Sequence, residues 1–185
     1  MRTSKGVNIL NCQQISLDND RRCITLPNRV ELDSFLDKFT PELAKSTRGV
    51  LKAMRKLCPG AIELVYDNYN ALAIGFATGE RVKDVWFSIA VFPKWASLFF
   101  FRTVPLADPE KLLKGAGRTT RHIVLKDGAG TLAEPAVRAL IDQALEKAGR
   151  PFKFGGRGRI VIKSVSARQR PRRPPQKATS RRSRK

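Results

Sequence analysis

Apolar residues along this chain change period twice. They recur at helical spacing from Val30 to Leu57, run or alternate as in strands from Ile62 to Leu125, and return to helical spacing after Thr131. Leu32, Phe35, Leu36 and Phe39 predict a first helix beginning near Val30. Thr40-Pro41 restarts it, with Thr as N-cap, Pro at the first position and Glu42 in the first turn. Leu43, Val50, Leu51, Met54 and Leu57 then form one apolar stripe. Lys52, Arg55 and Lys56 suit the negative end of the helix dipole, and Pro59-Gly60 ends the segment. Strands are predicted over 62–66, 71–77, 82–92 and 96–102. The turns between them are short, so neighbours should pair antiparallel. Asp108-Pro109-Glu110 is expected to open a short helix through Leu113, with Gly115-Ala116-Gly117 as its breaker and a fifth strand over 119–125. Thr131 and Glu134 have capping-box spacing ahead of a helix that would bury Val137, Leu140, Ile141, Ala144 and Leu145 and stop at Gly149.

This order predicts a two-layer α+β fold. An antiparallel sheet of about five strands carries the N- and C-terminal helices on one face. Residues 1–30 read as a peripheral arm and 31–150 as the domain. Residues 151–165 offer an extra strand, over 159–165. Residues 166–185, rich in Arg, Pro, Ser and Lys, read as a disordered basic tail that buries too little apolar surface to offset its ordering entropy.

Charge sharpens that division. The chain carries +20, yet 13 of its 36 Lys and Arg and none of its 16 acidic residues lie in 151–185, which leaves +7 on 1–150. At 185 residues a true core is available. No apolar run is long enough to span a bilayer and the first residues do not read as a secretory signal, so a cytoplasmic protein without membrane contact is expected. Cys12, Cys23 and Cys58 are odd in number and widely spaced, as for reduced thiols rather than disulfides or a zinc site.

Four constellations carry candidate chemistry. Lys114, Gly115, Gly117, Arg118, Arg121 and His122 surround a Gly-x-Gly turn where backbone amides and cations can hold a small anion. The competing account is a solvated basic connector, and the P-loop spacing is absent. Tyr66, Tyr69, Trp86 and Trp95 can line an apolar pocket or divide between core and surface. The Phe99-Phe100-Phe101 run puts at least one ring on the outer face, which suggests a homodimer. Arg168, Arg170, Arg172, Arg173, Lys177, Arg181, Arg182, Arg184 and Lys185 suit nonspecific nucleic-acid binding through phosphates, or only a solubilising tail. No nucleophile has a convincing base and His122 is the lone histidine, so no catalytic residues and no metal ligands are assigned.

The chain resembles the YdhG-like domain of unknown function, a small bacterial α+β domain, over roughly residues 33–146. The resemblance rests on the helix ending in Pro59-Gly60, on Phe87-Ser88-Ile89-Ala90-Val91-Phe92-Pro93-Lys94 and on Leu106-Ala107-Asp108-Pro109. It rests further on Leu112-Leu113-Lys114-Gly115-Ala116-Gly117-Arg118 and Arg121-His122-Ile123. The chain departs from the family pattern at Arg102-Thr103-Val104-Pro105, where a Gly is frequent, and at Arg118, where Lys is. The resemblance implies a non-enzymatic module that binds an unknown small ligand or partner. Because some members are described as frataxin-like iron chaperones, it also raises iron. Asp67, Glu80, Asp84, Asp108 and Glu110 are the carboxylates such a site would draw on, against a positively charged body. A cryptic enzyme on an anionic substrate at 114–122 is the third alternative.

Overall fold

A computed structural model describes residues 26–101, 106–117, 119–147 and 158–173. Helix α1 (Leu26–Leu36) begins four residues before the expected start. Helix α2 (Pro41–Leu57) starts as its sequence predicts, with Pro41 in the first turn and the Thr40 hydroxyl accepting from the Leu43 amide. It closes where Cys58 donates to the Met54 carbonyl (2.8 Å) and Gly60 takes φ 82°, a left-handed value that favours glycine.

The sheet has six strands: β1 (Ile62–Asp67), β2 (Leu72–Ala77), β3 (Val85–Val91), β4 (Ala96–Phe101), β5 (Thr120–Val124) and β6 (Ile160–Val165). Their order is β5-β4-β3-β2-β1-β6. The first five form an antiparallel meander, and β6 lies parallel to β1, with Glu63 opposite Ile160. The expected antiparallel sheet of about five strands is therefore a mixed sheet of six. The strand anticipated over 159–165 belongs to the same sheet as the rest.

Strand alternation assigns the faces. Val65, Ile74, Phe76, Phe87, Ile89, Leu98 and Phe100 share one core with Phe35, Leu36 and Phe39, with Val50, Leu51 and Met54 of α2, and with the C-terminal helices. Phe87 and Phe100 meet edge to face there (centroids 5.5 Å apart). On the opposite face Leu64, Ala77 and Val85 form a smaller cluster against Ile62, Tyr66 and Phe101. Phe99, on that face, stacks on His122 at 5.0 Å, so the Phe run divides between the faces.

Two local expectations fail for identifiable reasons. No helix forms over 108–113: Lys111 has φ 53°, which a right-handed helix cannot continue, and the Asp108 carboxylate instead accepts from the Leu112 and Leu113 amides. Thr131 does not cap the last helix. It is buried inside α3 (Ala129–Ala133), where its hydroxyl accepts from the Asp127 amide, and α4 (Pro135–Lys147) opens on Pro135, whose missing N–H costs nothing at a helix start. Val137, Leu140, Ile141 and Ala144 are buried as expected. Among the described residues no helix is long and apolar enough to cross a membrane.

The Phe87 side chain is fully buried at the centre of this core. Phe87→Ala should cost about 3–5 kcal/mol of stability. Urea unfolding checks this, and a loss below about 1 kcal/mol would show that the ring is not a packing centre.

Candidate functional site

The most densely connected polar site lies at the end of β1 and draws on residues far apart in sequence. The Asp67 carboxylate, 1% exposed, accepts from Lys38 Nζ (2.7 Å), Gln169 Nε2 (2.6 Å) and Arg172 Nη2 (2.7 Å). Lys38 also donates to Gln169 Oε1 at 3.0 Å. The Arg172 side chain is 3% exposed, sits over the Phe39 ring and donates to the Asn68 carbonyl. Arg173 donates to the carbonyls of Asp37 and Phe39 (both 2.9 Å), in the turn between α1 and α2. Backbone bonds from Ser166 to Asp67 (2.8 Å) and from Arg170 to Tyr69 (2.9 Å) complete the clasp.

Residues 166–173, expected to belong to a disordered tail, are thus held on the body. The composition argument counts apolar burial, and this segment is held by charge-assisted hydrogen bonds that it does not count. Four of the nine candidate nucleic-acid residues can be placed. Arg172 and Arg173 are engaged in the clasp, whereas Arg168 and Arg170 are exposed. Lys177, Arg181, Arg182, Arg184 and Lys185 lie outside the described residues, as do Cys12, Cys23, Gly149 and the anticipated arm before residue 26.

The 114–122 turn is a backbone bridge. Lys114 and His122 exchange both amide–carbonyl bonds (2.8 and 2.9 Å), and Gly115 has φ 109°. Arg121 and His122 are successive on β5 and so point to opposite faces, which divides the proposed anion ligands. Arg118 lies outside the described residues. A cavity of about 190 Å³ takes in Lys114 together with Lys111, Lys126 and Glu134, but neither Arg121 nor His122.

The four aromatic candidates are spread out. Trp86 lies near the start of β3 and Trp95 in the turn after its end, where it stacks on Phe92 (5.1 Å). Tyr69 is 54% exposed, and burial pushes up the pKa of Tyr66, whose hydroxyl has no partner among the described residues. The carboxylates raised for iron are likewise apart. Asp67 is in the clasp, Glu80 pairs with Arg159 and Lys163, Asp84 pairs with Arg81, and Asp108 caps its own turn. No group of three or more His, Cys, Asp or Glu comes together among the described residues.

A groove of about 690 Å³ lies between α1 and α2, over Leu32, Leu36 and Leu51, with Arg29, Arg48 and Lys52 among its walls. Arg48 bonds Asp33 (2.9 Å) and Asp37 (2.6 Å). Arg55 forms a bidentate pair with buried Glu63 (2.6 and 2.8 Å) that fixes α2 to β1 and raises the Arg55 pKa. A smaller cavity beside it, about 200 Å³, is lined by Arg29, Arg55, Cys58 and Glu63. Burial pushes the Cys58 thiol up to about 12, so it is neutral at physiological pH and a poor nucleophile. Sequence reasoning missed the clasp and the groove. Bonded partners in the clasp sit 29 to 136 positions apart, and no local pattern links them.

Two tests follow. Asp67→Ala strands a buried guanidinium, so it should cost about 3–5 kcal/mol and abolish hydrogen-exchange protection of the Ser166 and Arg170 amides. Retained protection would show that the segment is held by other contacts. In a Cys12→Ser/Cys23→Ser background, Cys58 should resist a thiol-labelling reagent at pH 8.5 in the folded protein and react once urea unfolds it. Rapid labelling of the folded protein would contradict the neutral buried thiol.

No protein-family model, curated protein or solved structure matches this chain.

Proposed function

We propose that this is a non-enzymatic, cytoplasmic module of the YdhG-like kind that binds nucleic acid nonspecifically, with its basic C-terminal stretch gripping phosphates. The observation that carries the reading is the charge distribution: residues 151–185 hold 13 cations and no acid. Lys and Arg against phosphate release condensed counterions, and this term needs no sequence readout. The clasp supports the reading in a second way. Arg172 and Arg173 spend their charge on the body, at Asp67 and the α1–α2 turn, so the stretch beyond them starts from a fixed point on the fold. Arg168 and Arg170 stay exposed for phosphate contact. Clustered cations without a matched recognition motif favour backbone contact over base readout.

The test keeps the full chain and changes Lys177, Arg181, Arg182, Arg184 and Lys185 together to Gln. Fluorescence anisotropy with labelled 20-base-pair duplexes of unrelated sequence should show binding by the parent at low salt, equal across sequences. The slope of log K against log salt should fall in magnitude by about 4.5 in the variant. Absence of binding by the parent at 50 mM salt, or a variant indistinguishable from it, would overturn the reading.

A further inference from the structure

Helix α2 carries more positive charge than a helix that merely covers a sheet requires. At 3.6 residues per turn, Lys45, Arg48, Lys52, Arg55 and Lys56 all fall within an arc of about 100°, turned away from the buried Thr47, Val50 and Met54. The five cations extend about 16 Å along the axis. Two are spent within the fold, Arg48 on Asp33 and Asp37 and Arg55 on Glu63. Lys45, Lys52 and Lys56 are exposed and have no ion-pair partner among the described residues, and exposed Arg29 of α1 lines the same groove as Lys52 and Lys56.

We propose that this stripe is a second phosphate-binding surface, which contacts the nucleic-acid backbone alongside the C-terminal basic stretch. The inference rests on the polyanion-binding reading above and adds a site in the folded body. Three observations favour nucleic acid over an acidic protein partner. Arg173 is anchored on the carbonyls of Asp37 and Phe39, just before α2 starts, so the remaining chain leaves from the end of the helix where the stripe begins. One polyanion can therefore bridge both, and the tether makes the second contact intramolecular. Next, the groove offers a protein little to anchor on: Leu32, Leu36 and Leu51 are 1–2% exposed, and Val30 is the one exposed large apolar side chain on either helix among the described residues. Lastly, a duplex carries one negative charge for about every 1.7 Å of its axis, a density high enough for each of three lysines spread over about 16 Å to meet a phosphate.

The experiment compares full-length variants by anisotropy with a 20-base-pair duplex and a 20-nucleotide single strand between 50 and 200 mM salt. Lys45→Gln/Lys52→Gln/Lys56→Gln should reduce the duplex salt slope by about 2.7 and weaken binding at least about tenfold near 100 mM. Lys45→Arg/Lys52→Arg/Lys56→Arg should restore both. A control that removes the same charge elsewhere, Lys83→Gln/Lys94→Gln/Lys111→Gln, should change the slope by less than half as much. An unchanged slope in the α2 variant, with binding lost in the C-terminal variant, overturns the stripe while leaving the C-terminal reading intact. Equal losses in the α2 and control variants reduce the stripe to diffuse charge and overturn it. Tighter parent binding to poly-glutamate than to either nucleic acid overturns it in favour of an acidic protein partner. No parent binding to either nucleic acid overturns both readings.

Discussion

One buried carboxylate joins parts of this molecule that the sequence keeps far apart. Asp67 ends β1, Lys38 follows α1, and Gln169 and Arg172 come from the last described residues; all three donors converge on it. Removing charges from water is costly, and the cost is met only when geometry and hydrogen bonds are good. Asp67 meets that condition with three donors within 2.7 Å, while two nitrogens of Arg172, Nε and Nη1, stay buried without a hydrogen-bond partner among the described residues. The cluster is therefore weak as a net source of stability but costly to break, since removal of Asp67 would leave the buried Arg172 charge uncompensated.

The parts of the fold held by local rules were legible in the sequence. Thr40-Pro41 marked the start of α2, the apolar spacing of Val50, Leu51 and Met54 marked its buried side, and alternation marked the meander. What sequence reasoning missed depended on nonlocal pairing. The parallel placement of β6 is decided by a partner about a hundred residues earlier, and the ordering of 166–173 by Asp67 and Lys38. Composition counts apolar residues, and this segment has few to count. The loss of the 108–113 helix was different in kind. Asp108 can cap a helix or close a local turn with the same carboxylate, and the left-handed backbone at Lys111 took the second course. At the candidate sites, clustering in sequence misled where strand alternation parted neighbours, as it does Arg121 from His122.

Among the described residues arginines supply most of the ion pairs within the molecule, and Lys38 and Lys163 also pair. Arg48, Arg55, Arg81, Arg138, Arg159 and Arg172 face carboxylates within the molecule, and arginine's planar fork suits such fixed pairing. The lysines of α2 face water instead. Lysine's compact, strongly hydrated charge on a flexible stem suits contacts that must form and dissolve.

The late arrival of β6 matters for how the chain is made. β1 exposes a bare row of amides and carbonyls on its outer side until Ile160 and its neighbours emerge, since they alone among the described residues pair there. At roughly 5–20 residues per second, ribosomal synthesis leaves that border open for about 5–20 s. During this interval any other extended segment, from the same polysome or another, competes for it. The antiparallel meander can assemble in order as it leaves the exit tunnel, but β6 cannot join it until about ninety residues after β1, and until then the outer side of β1 is open to misassembly.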